Sequence, residues 1–195
     1  MTEYSTDTAL VVVDVQNDFA DPDGSLYVPE ADTRVIPAVN RQVSSAIEAG
    51  ASVFYTQDWH PERTPHFATD GGIWPVHCVA GTVGAEFHPD LLVEGPSVYK
   101  GANGEDGYSG FTMRDPVSGE EKPTELESMI RAAGCQKVVV VGLALDYCVK
   151  DTALDVARGG FETTVLLDAT GAVNLEPGDG DKAVAELRSE GVTVG

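Results

Sequence analysis

Cys148 is the residue of this sequence best placed for nucleophilic chemistry. It follows the apolar run at residues 138–141, which is typical of a strand buried on both faces of a parallel sheet. A helical pattern begins near Asp146 and places Cys148 in the first turn, where the helix dipole favours a thiolate. The alternative is a small buried hydrophobic side chain. Cys78 is the weaker nucleophile candidate, because it lies in a loop with no helix terminus to activate it.

A second group of chemically capable residues lies in the long loop-like stretch 58–96, which contains all four histidines of the chain. The spacing Asp58-x-His60 puts a carboxylate and an imidazole on one side of an extended segment, and His66 and His77 can join them from the returning loop. One carboxylate and up to three imidazoles suit zinc, iron or manganese. For any single histidine, the alternative is a polar side chain satisfied by hydrogen bonds.

Two charged side chains follow short apolar strands. Asp14 comes directly after Thr8–Val13, where a carboxylate is costly unless it is paired or lies at the edge of the sheet. Lys100 follows the strand predicted at 97–99. A loop cap for Asp14 and a snorkelling surface lysine for Lys100 are the alternatives. In an open parallel sheet the carboxyl ends of the strands form the ligand-binding edge, so we expect both residues to meet Cys148 there.

The remaining periodic segments complete an α/β pattern. Strands are predicted at 8–13, 52–57, 97–99, 138–141, 161–167 and 192–194, and helices at 32–49, 124–133, from 146 onward and at 181–189. The segment 116–123 is predicted to be an exposed turn. Alternating strands and helices predict a three-layer α/β/α fold with a six-stranded, mainly parallel sheet in the order 3-2-1-4-5-6. No linker or repeat divides residues 1–195, which predicts a single domain.

This strand order sets an expected distance within the site. The first strand lies between the second and the fourth, so the ends of those two strands should be roughly 10 Å apart. We therefore expect a metal ion held near Asp58 to lie too far from Cys148 to polarise a carbonyl group under attack there.

Composition excludes several classes of function. The chain has 32 acidic and 12 basic side chains and a formal net charge of −20, which argues against nucleic acid or anionic membrane as a partner. Three cysteines do not make a disulfide framework. The N-terminal segment lacks the features of a signal peptide, and no apolar run is long enough to span a bilayer. A soluble, cytoplasmic protein is expected. No Gly-x-Gly-x-x-Gly follows the first strand, which argues against a usual dinucleotide site.

A set of motifs in fixed order covers nearly the whole chain: VDVQNDF at 13–19, DWHP at 58–61, WPVHCV at 74–79, FHPDL at 87–91, KG at 100–101, YSGF at 108–111 and GLALDYCV at 142–149. Together they resemble the nicotinamidase branch of the isochorismatase-like hydrolase family. The resemblance implies a catalytic triad of Asp14, Lys100 and Cys148. It implies four metal ligands, which are Asp58, His60, His66 and His77. Substrate-binding roles are implied for Phe19 and Trp74, which would sandwich a pyridine ring, and for Tyr108.

The resemblance also implies an oxyanion hole and an activity. The family has a cis peptide bond before the nucleophile, expected here between Ala144 and Leu145, and the backbone amides of Ala144 and Cys148 would bind the oxyanion. The implied reaction is hydrolysis of nicotinamide, and also of pyrazinamide, through a cysteine thioester in NAD salvage. One divalent metal ion is implied, with zinc first and iron or manganese as alternatives. The expected partner is this small substrate, and the protein is expected to be a monomer or a homo-oligomer.

Other functions remain open at this stage. A carbamoylsarcosine amidase of the same family would keep the triad without this metal set. An isochorismatase would cleave a vinyl ether and need neither this cysteine nor the metal ligands. A non-catalytic zinc-binding domain would give no reason for Asp14, Lys100 and Cys148 to meet at one edge.

Overall fold

A parallel sheet forms the centre of the molecule. The computed structural model describes residues 3–195. In chain order its strands are β1 (Thr8–Val13), β2 (Ser52–Asp58), β3 (Ser97–Lys100), β4 (Thr112–Arg114), β5 (Glu121–Pro123), β6 (Lys137–Leu143), β7 (Glu162–Gly171) and β8 (Thr193–Val194). Within the described residues, six strands pair in the order β3-β2-β1-β6-β7-β8. All five of these pairings are parallel, so the predicted order is confirmed.

Helices cover both faces of this sheet. Their bounds are α1 (Asn17–Ala20), α2 (Ile36–Glu48), α3 (Leu126–Ala132), α4 (Lys150–Arg158) and α5 (Asp179–Ser189). All six residues of β1 are buried. Successive side chains point to opposite faces of the sheet, and both faces are covered. Leu10 and Val12 pack in the core that includes α2, whereas Val11 and Val13 pack in the core that includes α3, α4 and α5. The three-layer α/β/α architecture follows.

Two predicted elements differ from the structure. The segment predicted as an exposed turn contains β5, which pairs antiparallel with β4 in a hairpin separate from the main sheet. All three residues of β5 are exposed, so no hydrophobic alternation marks it in the sequence. The helix that carries Cys148 begins with a wide π-helical turn, Leu145–Val149, and becomes α-helical only at Lys150.

The cis peptide bond was expected at the wrong position. It joins Leu143 and Ala144, one residue earlier than the expected Ala144–Leu145 bond. The cis bond lies where β6 ends, and Leu145 already belongs to the π-helical turn. Within residues 3–195, no helix is both long and apolar enough to cross a membrane.

The register of the central strands brings the functional residues to one edge. Val13 of β1 pairs with Thr56 of β2 and with Gly142 of β6, and Asp58 pairs with Lys100 of β3. Gly142 has φ 109°, and a Cβ atom there would collide with the Val13 carbonyl oxygen. Glycine therefore permits the close approach of β6 to β1 beside Asp14.

Candidate active site and metal centre

The ammonium group of Lys100 is completely buried between two carboxylates. Its Nζ lies 2.6 Å from Asp14 Oδ2 and 2.9 Å from Asp58 Oδ1, and it also donates to the Gly107 carbonyl oxygen. Burial alone would lower the pKa of Lys100, but Asp14 and Asp58 raise it well above its usual range. Lys100 is therefore charged at neutral pH.

Asp14 is a buried carboxylate in a strained backbone position. Its φ of 49° lies in the left-handed region, which costs a non-glycine residue about 1–3 kcal/mol and is frequent at functional sites. The Thr56 hydroxyl donates to its Oδ1 at 2.6 Å. Burial raises the pKa of Asp14 to about 6, although Lys100 opposes the shift. Near neutral pH this carboxylate is ionised but binds a proton more readily than an exposed aspartate.

Cys148 lies next to this charged group in the π-helical turn. Its Sγ is 4.0 Å from the Gly107 carbonyl oxygen, and Sγ and one oxygen each of Asp14 and Asp58 all lie within 4.8 Å of one another. Burial raises the pKa of the Cys148 thiol well above its usual range, and the opposing effect of Lys100 is outweighed. The helix start was expected to favour a thiolate; in the folded site burial and the two carboxylates oppose that effect, because they disfavour a further negative charge.

The peptide group of Ala144 faces the same space. Its carbonyl oxygen accepts from the N–H groups of Tyr147 and Val149 at 3.1 and 3.0 Å. Its own N–H makes no hydrogen bond to any residue from 3 to 195. Ala144 and Cys148 both line the cavity. An unsatisfied amide at this place is available to an oxyanion.

Two short backbone bridges organise the long loop that follows β2. The backbone N–H of His60 donates to the Cys78 carbonyl oxygen at 3.0 Å, and the Ala80 N–H donates to the His60 carbonyl oxygen at 2.8 Å. A second bridge pairs Phe67 with Trp74. These bridges bring the histidines of this loop beside the end of β2, which sequence spacing alone could not establish.

The three histidines and Asp58 form a compact set of potential ligands. One ring nitrogen from each of His60, His66 and His77 lies within 4.8 Å of the others. Asp58 Oδ2 is 3.8 Å from His60 Nε2 and 3.9 Å from His77 Nε2. The Nδ1 atoms of His66 and His77 lie 2.7 Å from Asp106 Oδ1 and from the Pro75 carbonyl oxygen. Both rings therefore present Nε2 to the centre of the set.

The chemistry of these residues fits a divalent metal ion. Both ring nitrogens of His60 are buried without a hydrogen-bond partner among the described residues, an arrangement that is rare unless a ligand satisfies it. Burial lowers the pKa of His77 to about 4. Burial alone would raise the pKa of Asp58, but Lys100 and His60 hold it well below its usual range. A neutral imidazole and an ionised carboxylate are the forms that bind metals.

The carboxylate of Asp58, a candidate metal ligand, lies closer to the Cys148 thiol than strand spacing suggested. An Asp58 oxygen lies within 4.8 Å of Cys148 Sγ, whereas the strand ends were expected to be roughly 10 Å apart. The estimate used backbone positions, and the side chains converge over the end of β1.

A cavity with aromatic walls opens beside Cys148. The three residues expected to bind substrate, Phe19, Trp74 and Tyr108, all line it together with Tyr147. Trp74 Nε1 donates to the Tyr108 hydroxyl at 2.8 Å, and the ring of Tyr147 lies edge-on to Trp74 with centroids 4.8 Å apart. Such walls suit a flat aromatic ring.

Comparison with known proteins identifies the family. The isochorismatase domain matches residues 8–195. The nicotinamidase of Escherichia coli (strain K12) is 35% identical over 204 residues, which cover 95% of this chain and 93% of that protein. The chain belongs to the isochorismatase family. The resemblance inferred from the motifs is thereby confirmed.

Solved structures of the isochorismatase fold agree closely with this one. Pyrazinamidase of Pyrococcus horikoshii in complex with zinc has a TM-score of 0.85 at 39% identity, covering 97% of this chain and 98% of that one. PnC1 from L. infantum in complex with nicotinate has a TM-score of 0.85 at 32% identity, covering 99% and 94%. The fold is thus shared with a protein in complex with zinc and with a protein in complex with nicotinate.

Some contacts in this isochorismatase-family site were not predicted. Thr56 and Gly107 hold Asp14 and Lys100, Asp106 holds His66, and Tyr147 lines the cavity. Tyr147 could have been suspected from its position next to Cys148. The Gly107 contact uses a backbone carbonyl oxygen, for which a sequence carries no signal.

Two residues considered from the sequence lie outside the cavity. The Nδ1 of His88 accepts a hydrogen bond from the Asp90 N–H at 3.2 Å within a turn. Cys78 is fully buried, and burial raises the pKa of its thiol well above the usual range. Neither residue lines the cavity above Cys148.

Proposed function

We propose that the protein hydrolyses nicotinamide to nicotinic acid and ammonia through a thioester on Cys148, and that it also accepts pyrazinamide. One observation carries the proposal: Cys148, which lies beside the buried Asp14–Lys100 pair, lines the same aromatic cavity as two of the three histidines, His66 and His77. A pyridine ring with a carboxamide fits this arrangement, because its nitrogen can face the histidines while its carboxamide faces Cys148. Similar proteins are a nicotinamidase and a protein in complex with nicotinate, and the product belongs to NAD salvage.

Acylation begins with a proton transfer inside the buried group. Asp14 accepts the thiol proton of Cys148, because its raised pKa makes it a stronger base than an exposed aspartate. The sulfur electron pair then forms a bond to the carboxamide carbon, and the carbonyl electrons move to the oxygen. The charged Lys100 stabilises the thiolate. The backbone amides of Ala144 and Cys148 serve as donors to the oxyanion.

Collapse of the tetrahedral intermediate releases ammonia. The carbon–nitrogen bond breaks while Asp14 returns its proton to the leaving nitrogen, and the acyl group remains on Cys148 as a thioester. A water molecule then attacks the thioester, with Asp14 as its general base. The carbon–sulfur bond breaks, and Cys148 regains the proton as nicotinate leaves.

Asp58, His60, His66 and His77 are the proposed ligands of the metal ion. Zinc is the proposed metal, with iron and manganese as alternatives. When bound there, the ion supplies a Lewis acid for the pyridine nitrogen, directly or through water. Phe19 and Trp74 hold the ring between them and orient the carboxamide toward Cys148. The zinc complex of the similar pyrazinamidase supports this assignment.

The wider setting is also proposed from general properties. The formal charge of −20 disfavours nucleic acid and anionic membrane as partners. We propose a cytoplasmic enzyme that acts as a single domain, either as a monomer or as a homo-oligomer.

The test is ammonia release from matched amides by zinc-loaded protein. Nicotinamide should be hydrolysed, whereas benzamide, which lacks the ring nitrogen, should be a poor substrate. A folded, zinc-loaded protein that releases no ammonia from nicotinamide would contradict the proposal. Preferred turnover of carbamoylsarcosine would favour the other amidase of the family.

A further inference from the structure

Three consecutive residues, Asp106, Gly107 and Tyr108, each contact a different part of the site. We call them the 106–108 strap. Asp106 Oδ1 lies 2.7 Å from His66 Nδ1, the Gly107 carbonyl oxygen accepts from Lys100, and the Tyr108 hydroxyl accepts from Trp74. One short segment therefore contacts a histidine of the ligand set, the buried ammonium group and the aromatic wall.

The strap is itself fixed to the β4–β5 hairpin. The Asp106 N–H donates to the Arg114 carbonyl oxygen at 2.7 Å, and the Arg114 N–H donates to the Asp106 carbonyl oxygen at 3.2 Å. Arg114 pairs in turn with Glu121 across the hairpin. The backbone of Asp106 is therefore held from outside the cavity, so its carboxylate meets His66 from a defined position.

The three imidazoles differ in what orients them. The His77 ring is held by the Pro75 carbonyl oxygen, and the nitrogens of His60 have no hydrogen-bond partner among residues 3–195. His66 is oriented by a side chain, and the two side chains are only 4% and 23% exposed. Asp106 is thus a ring-orienting contact that a substitution can remove.

We propose that Asp106 is a positioning residue that fixes the orientation of the His66 ring and thereby sets the affinity of the site for its metal ion. The inference rests on the metal site proposed above. A hydrogen bond from Nδ1–H to the carboxylate keeps the proton on Nδ1 and leaves the Nε2 lone pair for the metal. Without it, the ring can rotate and exchange its tautomers, and part of the population presents the wrong nitrogen.

The test is the zinc affinity of the full chain, measured by competition with a chromophoric chelator. Asp106→Ala should weaken zinc binding by about 10–100-fold, the usual effect of losing such an outer contact. Asp106→Asn retains a neutral acceptor oxygen and should lie between Ala and the parent. Asp70→Ala is the matched control, because Asp70 is a carboxylate of the His66 loop that pairs with the exposed Arg63. Its zinc affinity should equal that of the parent.

A second readout separates positioning from general damage. In metal-free protein, the NMR signal of the hydrogen-bonded His66 Nδ1 proton should be lost in Asp106→Ala, while the thermal midpoint stays close to that of metal-free parent. An unchanged zinc dissociation constant in folded Asp106→Ala would overturn the proposal. If that variant does not fold, Asp106→Asn decides by the same criterion.

The zinc measurement also stands apart from the proposed activity. It needs no substrate. Weakened zinc binding by Asp106→Ala, together with no turnover of nicotinamide by the zinc-loaded parent protein, would contradict the proposed function and leave the role of Asp106 intact.

Discussion

Lys100 connects the two chemical groups of the site at the scale of single residues. Its ammonium contacts Asp14, which belongs to the proposed triad, and Asp58, which belongs to the proposed metal set. Removing one partner from a buried charge network costs about 3–5 kcal/mol, because the other charges remain without compensation. A Lys100→Ala variant therefore reports on stability as well as on catalysis, and Cys148 is the cleaner position for testing the chemistry.

The raised pKa of Asp14 predicts the acid limb of the pH profile. Burial raises this pKa to about 6, and only the ionised carboxylate can accept the thiol proton. The rate constant kcat/KM for nicotinamide should therefore be constant above this value and fall tenfold per pH unit below it. The measurement is the pH dependence of kcat/KM with zinc in excess.

Zinc loss at low pH would produce a similar fall, so bound zinc must be measured at every pH. An acid limb near pH 4 with zinc retained throughout would contradict the assignment of Asp14 as the base.

The convergence of Asp14, Lys100 and Cys148 was predictable, because each one lies at the end of an apolar strand or in the turn that follows it. Asp14, Lys100 and Cys148 occupy the carboxyl ends of β1, β3 and β6 or the turn that follows, and the parallel topology brings such ends together. The resting state of the thiol was not predictable, because its pKa depends on burial and on how near two carboxylates approach. Those distances exist only in the folded site.

At the scale of elements, Gly101 allows the loop after β3 to pack against His60. Its φ is 72°, and an added Cβ would lie 2.5 Å from His60 Cε1. We predict that Gly101→Ala displaces the imidazole and weakens zinc binding by at least about tenfold, as expected for a disturbed ligand environment. Zinc affinity measured by chelator competition checks this prediction.

Gly104 provides a matched control in the same loop. It also has a positive φ, 93°, but its nearest neighbour to an added Cβ is Thr64 Oγ1 at 3.5 Å. Gly104→Ala carries a similar backbone strain of roughly 1–2 kcal/mol without the collision. Equal losses of zinc affinity in both variants would show that strain, and not contact with His60, is responsible.

Asp146 joins the turn of the nucleophile to the loop after β7. Its carboxylate is buried and accepts the N–H groups of Val173 at 3.0 Å and Asn174 at 2.7 Å. An amide offers only one acceptor oxygen, so Asp146→Asn should lower the free energy of unfolding by about 1–3 kcal/mol. Urea unfolding of metal-free protein measures this change. Asp181→Asn, at an exposed position, should stay within about 0.5 kcal/mol of the parent. A similarly small change in Asp146→Asn would show that the two hydrogen bonds of Asp146 do not stabilise the fold.

The elements themselves were predicted unevenly. The strand Thr8–Val13 was predicted with its observed bounds, since a continuous apolar run with a charged residue after it has clear ends. The strand predicted at 161–167 extends to Gly171 as β7. The prediction ended too early because Asp168 and Thr170 interrupt the apolar pattern. The β4–β5 hairpin was missed, and with it the anchor of the 106–108 strap.

At the scale of the whole molecule, the acidic surface predicts a dependence of stability on salt. With 32 acidic and 12 basic side chains, the folded state contains net repulsion. The Debye length, over which charges interact, shortens from about 10 Å at 0.1 M salt to about 3 Å at 1 M salt. The midpoint of thermal unfolding should rise with sodium chloride, by about 2–4 °C for each kcal/mol of repulsion removed.

Sucrose at equal osmolality separates this effect from general exclusion of solutes. The unfolding midpoints are measured on metal-free protein, so that an effect of salt on zinc binding does not contribute. A midpoint that is unchanged or lower in 1 M sodium chloride would contradict net repulsion as a significant cost to the fold.

The central claim is that Cys148 carries the acyl group during amide hydrolysis. The most direct measurement compares the rate of ammonia release from nicotinamide by zinc-loaded parent, Cys148→Ala and Cys78→Ala proteins of equal zinc content. Loss of the nucleophile should lower the rate by roughly 10⁴-fold or more, while Cys78→Ala should stay within about tenfold because Cys78 does not line the cavity. Near-normal turnover by folded Cys148→Ala, or abolished turnover by Cys78→Ala with zinc retained, would contradict the claim.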